Sequence, residues 1–178
     1  MALYSLDHSH LAMHEPGVKG KAAAHLIYTI HSGTTVAVLE ERTGITTYAR
    51  SAIKEYCARR ESMAGKNGRI VEKLIVALPL EATRAQQIAL MQALADHITK
   101  GEAPYVAALH AAGSAENNPH AHIDAFDQSR ALPPGKTGRP SKIIGLSRKG
   151  ALEQLRADWS TIHNRMMAEW GYGCRFQG

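Results

Sequence analysis

The chain has 178 residues, of which 44% are hydrophobic and 21% charged, with a formal net charge of +5. That length and apolar share fit one compact domain with a full core, and exclude an extended disordered chain. No run is long or apolar enough to span a membrane. Two cysteines without a CxxC pair exclude a disulfide framework and point to free thiols in a reducing compartment. The N-terminus carries acidic and histidine residues where a signal peptide would be apolar, so the chain reads as cytoplasmic.

The charge is uneven. From Arg130 onward there are nine Lys/Arg against three acids, leaving a net −1 for residues 1–129. A basic C-terminal third favours a polyanionic partner, with nucleic acid the commonest, although a solvated basic face explains the same residues.

In chain order, Ala2–Leu6 reads as a short strand, followed by a His-rich, Pro-Gly loop from Asp7 to Gly20. Lys21–Ile30 reads as a helix ending near Ser32-Gly33, and Thr34–Leu39 as a β-branched strand. Ser51–Ser62 is amphipathic, and Gly65 and Gly68 break it. Arg69–Leu78 is a β-rich run stopped by Pro79. Thr83 caps a long helix to about Thr99, with Ile88, Met91, Leu94, Ala95 and Ile98 at helical spacing. Pro104–His110 and His120–Phe126 are strands joined by a hairpin connection. Ala131–Gly145, rich in Pro, Gly and Lys, reads as a basic loop, and Ser147–Trp170 as a last helix with Trp159 and Trp170 in its core. The order predicts an α+β sandwich, an antiparallel sheet with helices packed on it.

The most informative stretch is Asn118-Pro119-His120-Ala121-His122-Ile123, with His110 shortly before it. On a strand, residues two apart share a face, so His120 and His122 point the same way and His110 can come alongside from the neighbouring strand. Three neutral imidazoles aimed at one point suit a divalent metal that keeps open positions for a substrate. Taken alone, H-x-H is weak, because alternating histidines are often plain surface or core residues. Asp124 continues the same parity. It either hydrogen-bonds a ligand ring, joins the metal shell, or is a carboxylate near the sheet edge. His8, His10 and His14 form a second cluster that reads as loop rather than ligand.

These residues resemble the three-histidine motif of the MobA/MobL-type plasmid mobilization relaxases, members of the HUH endonucleases. The likeness extends to Met1-Ala2-Leu3-Tyr4 as the N-terminal strand and to Val76-Ala77-Leu78-Pro79-Leu80-Glu81 with the helix after it. It also takes in the Ala-rich helix Ala22–Tyr28 and the late helix around Leu152–Arg156 with Trp159. It covers most of residues 1–170, which it implies are a relaxase domain of HUH sandwich type in two layers, with 171–178 as a C-terminal tail. The resemblance implies Tyr28 as nucleophile and His110, His120 and His122 as ligands of a divalent metal, Mg or Mn. It implies single-stranded DNA at a transfer origin as substrate, with accessory mobilization proteins as further partners. It also implies an inward carboxylate on the strand before Pro79, where this chain has Ile75.

A tyrosine phenol has a reference pKa of about 10, so such a nucleophile needs help. A cation on three imidazoles answers charge building on the phosphate oxygens, and a phosphotyrosine ester conserves the bond for resealing. His25, three residues before Tyr28 on the same helical face, either accepts the phenol proton or packs there; packing is the preferred reading. Tyr4, Tyr48 and Tyr56 are lesser nucleophile candidates. Arg130, Lys136, Arg139, Lys142, Arg148 and Lys149 are placed to track DNA phosphates, or to be a solvated linker. Three rivals stay open: a three-histidine metal hydrolase with Tyr28 inert, a related HUH replication-initiation or transposition protein, and a non-catalytic DNA-binding module.

Overall fold

The computed structural model describes residues 5–138 and 140–173. Five strands and four α-helices follow one another along them: β1 (Leu6–Ala12), α1 (Lys21–His31), β2 (Thr35–Glu41), α2 (Arg50–Met63), β3 (Arg69–Ala77), α3 (Arg84–Thr99), β4 (Tyr105–His110), β5 (His120–Ala125) and α4 (Ala151–Glu169). The strands form one sheet in the order β1-β3-β5-β4-β2. Every neighbouring pair is antiparallel. This is the α+β sandwich the residue pattern predicts.

Strand alternation divides the core in two. Leu74 and Val76 of β3, Tyr105, Ala107 and Leu109 of β4, and Ala121 and Ile123 of β5 meet Leu90, Met91, Leu94 and Ile98 of α3 and Leu155, Trp159 and Met167 of α4. Val71, Val106 and Phe126 join Ala22, Leu26 and Ile30 of α1 and Ile53, Tyr56 and Cys57 of α2. Helices therefore cover both faces, and the two layers expected become three. Each buried aliphatic side chain contributes on the order of 1.5–3 kcal/mol, so both helix pairs are held by burial. α3 begins where its sequence says it should. The Thr83 side chain accepts from Gln86 N at 3.3 Å, and the Gln86 side chain accepts from Thr83 N at 2.8 Å, a complete capping box.

Two boundaries depart from the sequence reading. β1 runs through Leu6–Ala12, inside what reads as loop. The reason lies on β3: Glu72, buried to 1% exposure, binds His8 Nε2 at 2.7 Å and Arg69 at 2.9 and 3.0 Å. Glu72 on the neighbouring strand thus satisfies His8, one of the polar residues that make β1 look like loop, and His8 and His10 sit on a strand. α4 starts at Ala151, four residues later than expected, because Gly150 takes a left-handed conformation at φ 77° and sets the helix start. The loop after β5 is also anchored rather than open: Ser129 bridges Lys142, and Ile143 and Ile144 are buried in the α3–α4 core. The Tyr172 hydroxyl donates to the Glu81 carbonyl at 2.9 Å, which docks the chain onto the start of α3 beyond α4. Cys57 is buried. The readings made for Tyr4, Arg139 and Cys174 lie outside the described residues. No described helix is long and apolar enough to cross a membrane.

Candidate metal centre

The β4–β5 hairpin places His110 directly across from His120, and His122 across from Ala108. All three rings lie on the face covered by α1. Centroids are 4.4 Å apart for His110 and His122, 5.1 Å for His120 and His122, and 5.3 Å for His110 and His120. One nitrogen from each falls within 4.8 Å of the others. Around a cation with bonds of about 2.1 Å, tetrahedral nitrogens sit roughly 3.4 Å apart, so small ring rotations close the set.

The hydrogen bonds fit that use. A backbone carbonyl can only accept, so a ring nitrogen bound to one must carry the proton. His110 Nε2 donates to the Thr29 carbonyl at 2.8 Å, which leaves Nδ1 with its lone pair free. His120 Nδ1 donates to the Asn118 carbonyl at 2.8 Å, which leaves Nε2 free. Carbonyls that orient the rings in this way are the usual support of a metal-binding imidazole. Burial pushes His122 down to about 3, helped by His110, His120 and His25. Burial also lowers His110, against the pull of the Thr29 carbonyl and with a smaller push from His120. Both shifts favour the neutral imidazole, the form a metal requires. The donor set fits a divalent cation.

α1 supplies the other half of the site. Ala22, Leu26, Thr29 and Ile30 are buried beneath it, and Tyr28 stands at the margin of that face, 61% exposed. Its ring meets His110 edge-on, with centroids 6.3 Å apart. The other tyrosines are less suited. Tyr56 is 5% exposed, packs at 4.9 Å on Phe126, and has its phenol pushed well up by burial. Tyr105 is buried on the opposite face, where its hydroxyl meets Asp96. Burial and Glu40 raise Tyr48, whose carbonyl holds His31. His25 Nε2 lies 2.9 Å from Asp124 Oδ1, so α1 is tied to β5. Asp124 is 1% exposed and stands outside the three-histidine cluster.

Register settles where the strand carboxylate would be. Ile75 pairs with His122 on one side and with Asp7 on the other, and Lys73 pairs with Asp124. An isoleucine, 39% exposed, therefore occupies the β3 position beside the histidines. The basic residues are not brought there. The loop carrying Arg130, Lys136, Lys142, Arg148 and Lys149 leaves β5 at the end away from His120, about 17 Å along the strand. Arg130 is paired with Glu102 at 2.6 Å, and Arg148 donates to the Lys142 carbonyl at 2.8 Å. Two supports had no sequence signal: the carbonyls of Thr29 and Asn118 act through backbone atoms.

No family model matches the chain. Superposition finds the same architecture in a Staphylococcus aureus structure determined for vancomycin resistance transfer, with TM-score 0.71 and 16% identity, covering 99% of this chain and 98% of that one. It also finds the conjugative relaxase TrwC in its metal-bound complex with oriT DNA, at TM-score 0.60 and 14% identity over 97% and 73% of the two chains. The MobM relaxase domain, Mn-bound on pMV158 oriT DNA, gives TM-score 0.53 and 14% identity over 99% and 91%. The protein thus has the fold of the relaxases, with a three-histidine cluster at the end of its β4–β5 hairpin. In sequence it resembles mobilization protein A of Escherichia coli, at 36% identity over 124 residues, 61% of this chain. The likeness is to the MobA/MobL type, and this chain spans 17% of that relative's length.

Proposed function

We propose that this chain, with residues 1–170 as its working unit, is the DNA-nicking domain of a plasmid mobilization relaxase acting in the cytoplasm. Its substrate is one strand of a transfer origin, and accessory mobilization proteins are its expected company. Tyr28 beside His110, at the edge of the three-histidine cluster on a relaxase fold, is the observation that carries the reading. The Tyr28 oxygen attacks the scissile phosphorus and loses its proton to solvent, to which it is open. The bond to the 3′ oxygen breaks, and that oxygen leaves as a free 3′-hydroxyl after taking a proton. The 5′ phosphate remains on Tyr28 as an ester, so the reverse attack reseals the strand or joins it to another. A divalent cation, Mg or Mn, held by His110, His120 and His122 supplies Lewis-acid stabilisation of charge on the non-bridging oxygens. Thr29 and Asn118 hold two of those rings in register. The basic loop residues Arg130, Lys136, Arg139, Lys142, Arg148 and Lys149 take DNA backbone beyond the cleavage point, in a salt-dependent way.

The test is a gel assay with labelled single-stranded origin oligonucleotides and Mn²⁺. Wild-type protein gives a slow-migrating, protease-sensitive product, and Tyr28→Phe gives neither product nor nick. Cleavage to free ends that survives Tyr28→Phe would overturn the reading in favour of a metal hydrolase.

A further inference from the structure

Two buried polar atoms on β5 lack hydrogen-bond partners: His122 Nδ1 and Asp124 Oδ2. They belong to alternate residues of one strand, so they lie on one face at neighbouring positions. A buried carboxylate oxygen without a donor is costly, on the order of 1–3 kcal/mol or more for a charged group, and such a pair calls for an account. The complementarity is plain. With Nδ1 enclosed, Nε2 is the outward nitrogen of His122, and a ring whose Nε2 faces a cation carries its proton on Nδ1. The two atoms are not bonded to each other in the structure, and Asp124 Oδ2 is the unpaired acceptor two residues along the same face that a shift of either side chain would offer to that proton, while its other oxygen already holds His25 of the tyrosine helix. The β3 position that would otherwise offer a carboxylate beside His122 is Ile75.

We propose that Asp124 is a positioning residue joining the two halves of the site. Through Oδ2 it orients His122 and strengthens it as a metal donor, and through Oδ1 and His25 it fixes α1, and with it Tyr28, over the histidines. The proposal rests on the metal-centre part of the functional reading. It accounts for the burial of a carboxylate paired with one imidazole, and it places in β5 the support that β3 lacks.

The test measures Mn²⁺ affinity by calorimetry on folded protein, alongside adduct formation. Asp124→Asn presents an amide donor or a weaker acceptor to His122. It is expected to lose 10–100-fold in Mn²⁺ affinity, the usual cost of removing a ligand's outer partner. His25→Ala leaves Oδ2 in place, so it keeps Mn²⁺ affinity within about 2-fold while forming less adduct. If Asp124→Asn does not fold, Asp124→Ser is titrated instead, with the same loss expected. Wild-type affinity in the folded Asp124 variant would overturn the proposal, as would a wild-type protein that binds no Mn²⁺. A wild type that binds Mn²⁺ in an Asp124-dependent way but nicks no origin strand would sink the relaxase reading and leave this one standing.

Discussion

Ile75→Asp should raise divalent-cation affinity. Ile75 and His122 are cross-strand partners, so a carboxylate at 75 would stand roughly 7 Å from a cation on the histidines, allowing about 5 Å between Cβ atoms and the reach of each side chain. Coulomb's law for unit negative and double positive charges at about 7 Å gives roughly 1.2 kcal/mol in bulk water and about 2.4 at half that dielectric. The site is partly open, with Ile75 39% exposed, so the watery end of that range applies. A gain of roughly 10-fold in Mn²⁺ affinity is expected, shrinking as salt is raised. The stability cost is about 1 kcal/mol, because the lost side chain was only half buried and Asp suits a strand poorly. Calorimetric titration of Ile75→Asp beside Ile75→Asn separates charge from packing. Equal affinities in the two variants would refute the placement of the cation next to Ile75.

Glu72→Gln should destabilise the fold and flatten its acid sensitivity. Burial opposes charge on Glu72, but the His8 and Arg69 hydrogen bonds outweigh it and hold the carboxyl below its usual range. A depressed folded pKa contributes stability above the unfolded value of about 4.3 that is lost as pH falls through the folded pKa. The variant should lose about 1.5–3 kcal/mol near pH 7 and progressively less as pH falls below about 4.3, read by circular dichroism melts across that range; a loss that does not shrink on acidification would contradict this. Thr83→Ala removes half of a complete capping box, so about 1 kcal/mol, or 2–4 °C in Tm, should be lost with Mn²⁺ affinity intact. His110→Gln keeps a donor for the Thr29 carbonyl but offers the centre no imidazole lone pair. Mn²⁺ binding by calorimetry should be lost while the melt moves little, and retained binding would remove His110 from the ligand set.

The long apolar helices and the β-rich runs were legible because burial writes its period into the sequence. Thr83 and Gln86 marked the start of α3, and the parity of His120, His122 and Asp124 put them on one face. β1 was not legible, since the edge strand alternates His and Ser where an apolar pattern would announce it. The side-chain partner of His8, Glu72, is 64 residues away. The site was readable where side chains make it and hidden where backbone does, at Thr29 and Asn118. Asp124 could be placed on the right face but not connected, because its link to His25 spans 99 residues and two elements that only the fold brings together. The basic loop was visible as charge, while its position at the far end of β5 depended on topology.

The central claim is that Tyr28 carries the DNA. It is tested most directly by trapping the protein on a labelled origin strand, digesting with trypsin and locating the nucleotide-bearing peptide by mass spectrometry. Cleavage after Lys21 and Arg42 isolates Tyr28 from Tyr48 and Tyr56. The account predicts a 5′-phosphoryl nucleotide on Tyr28 within residues 22–42. A nucleotide mapped to Tyr48 or any other residue, or a nicked strand with no protein attached, would contradict it.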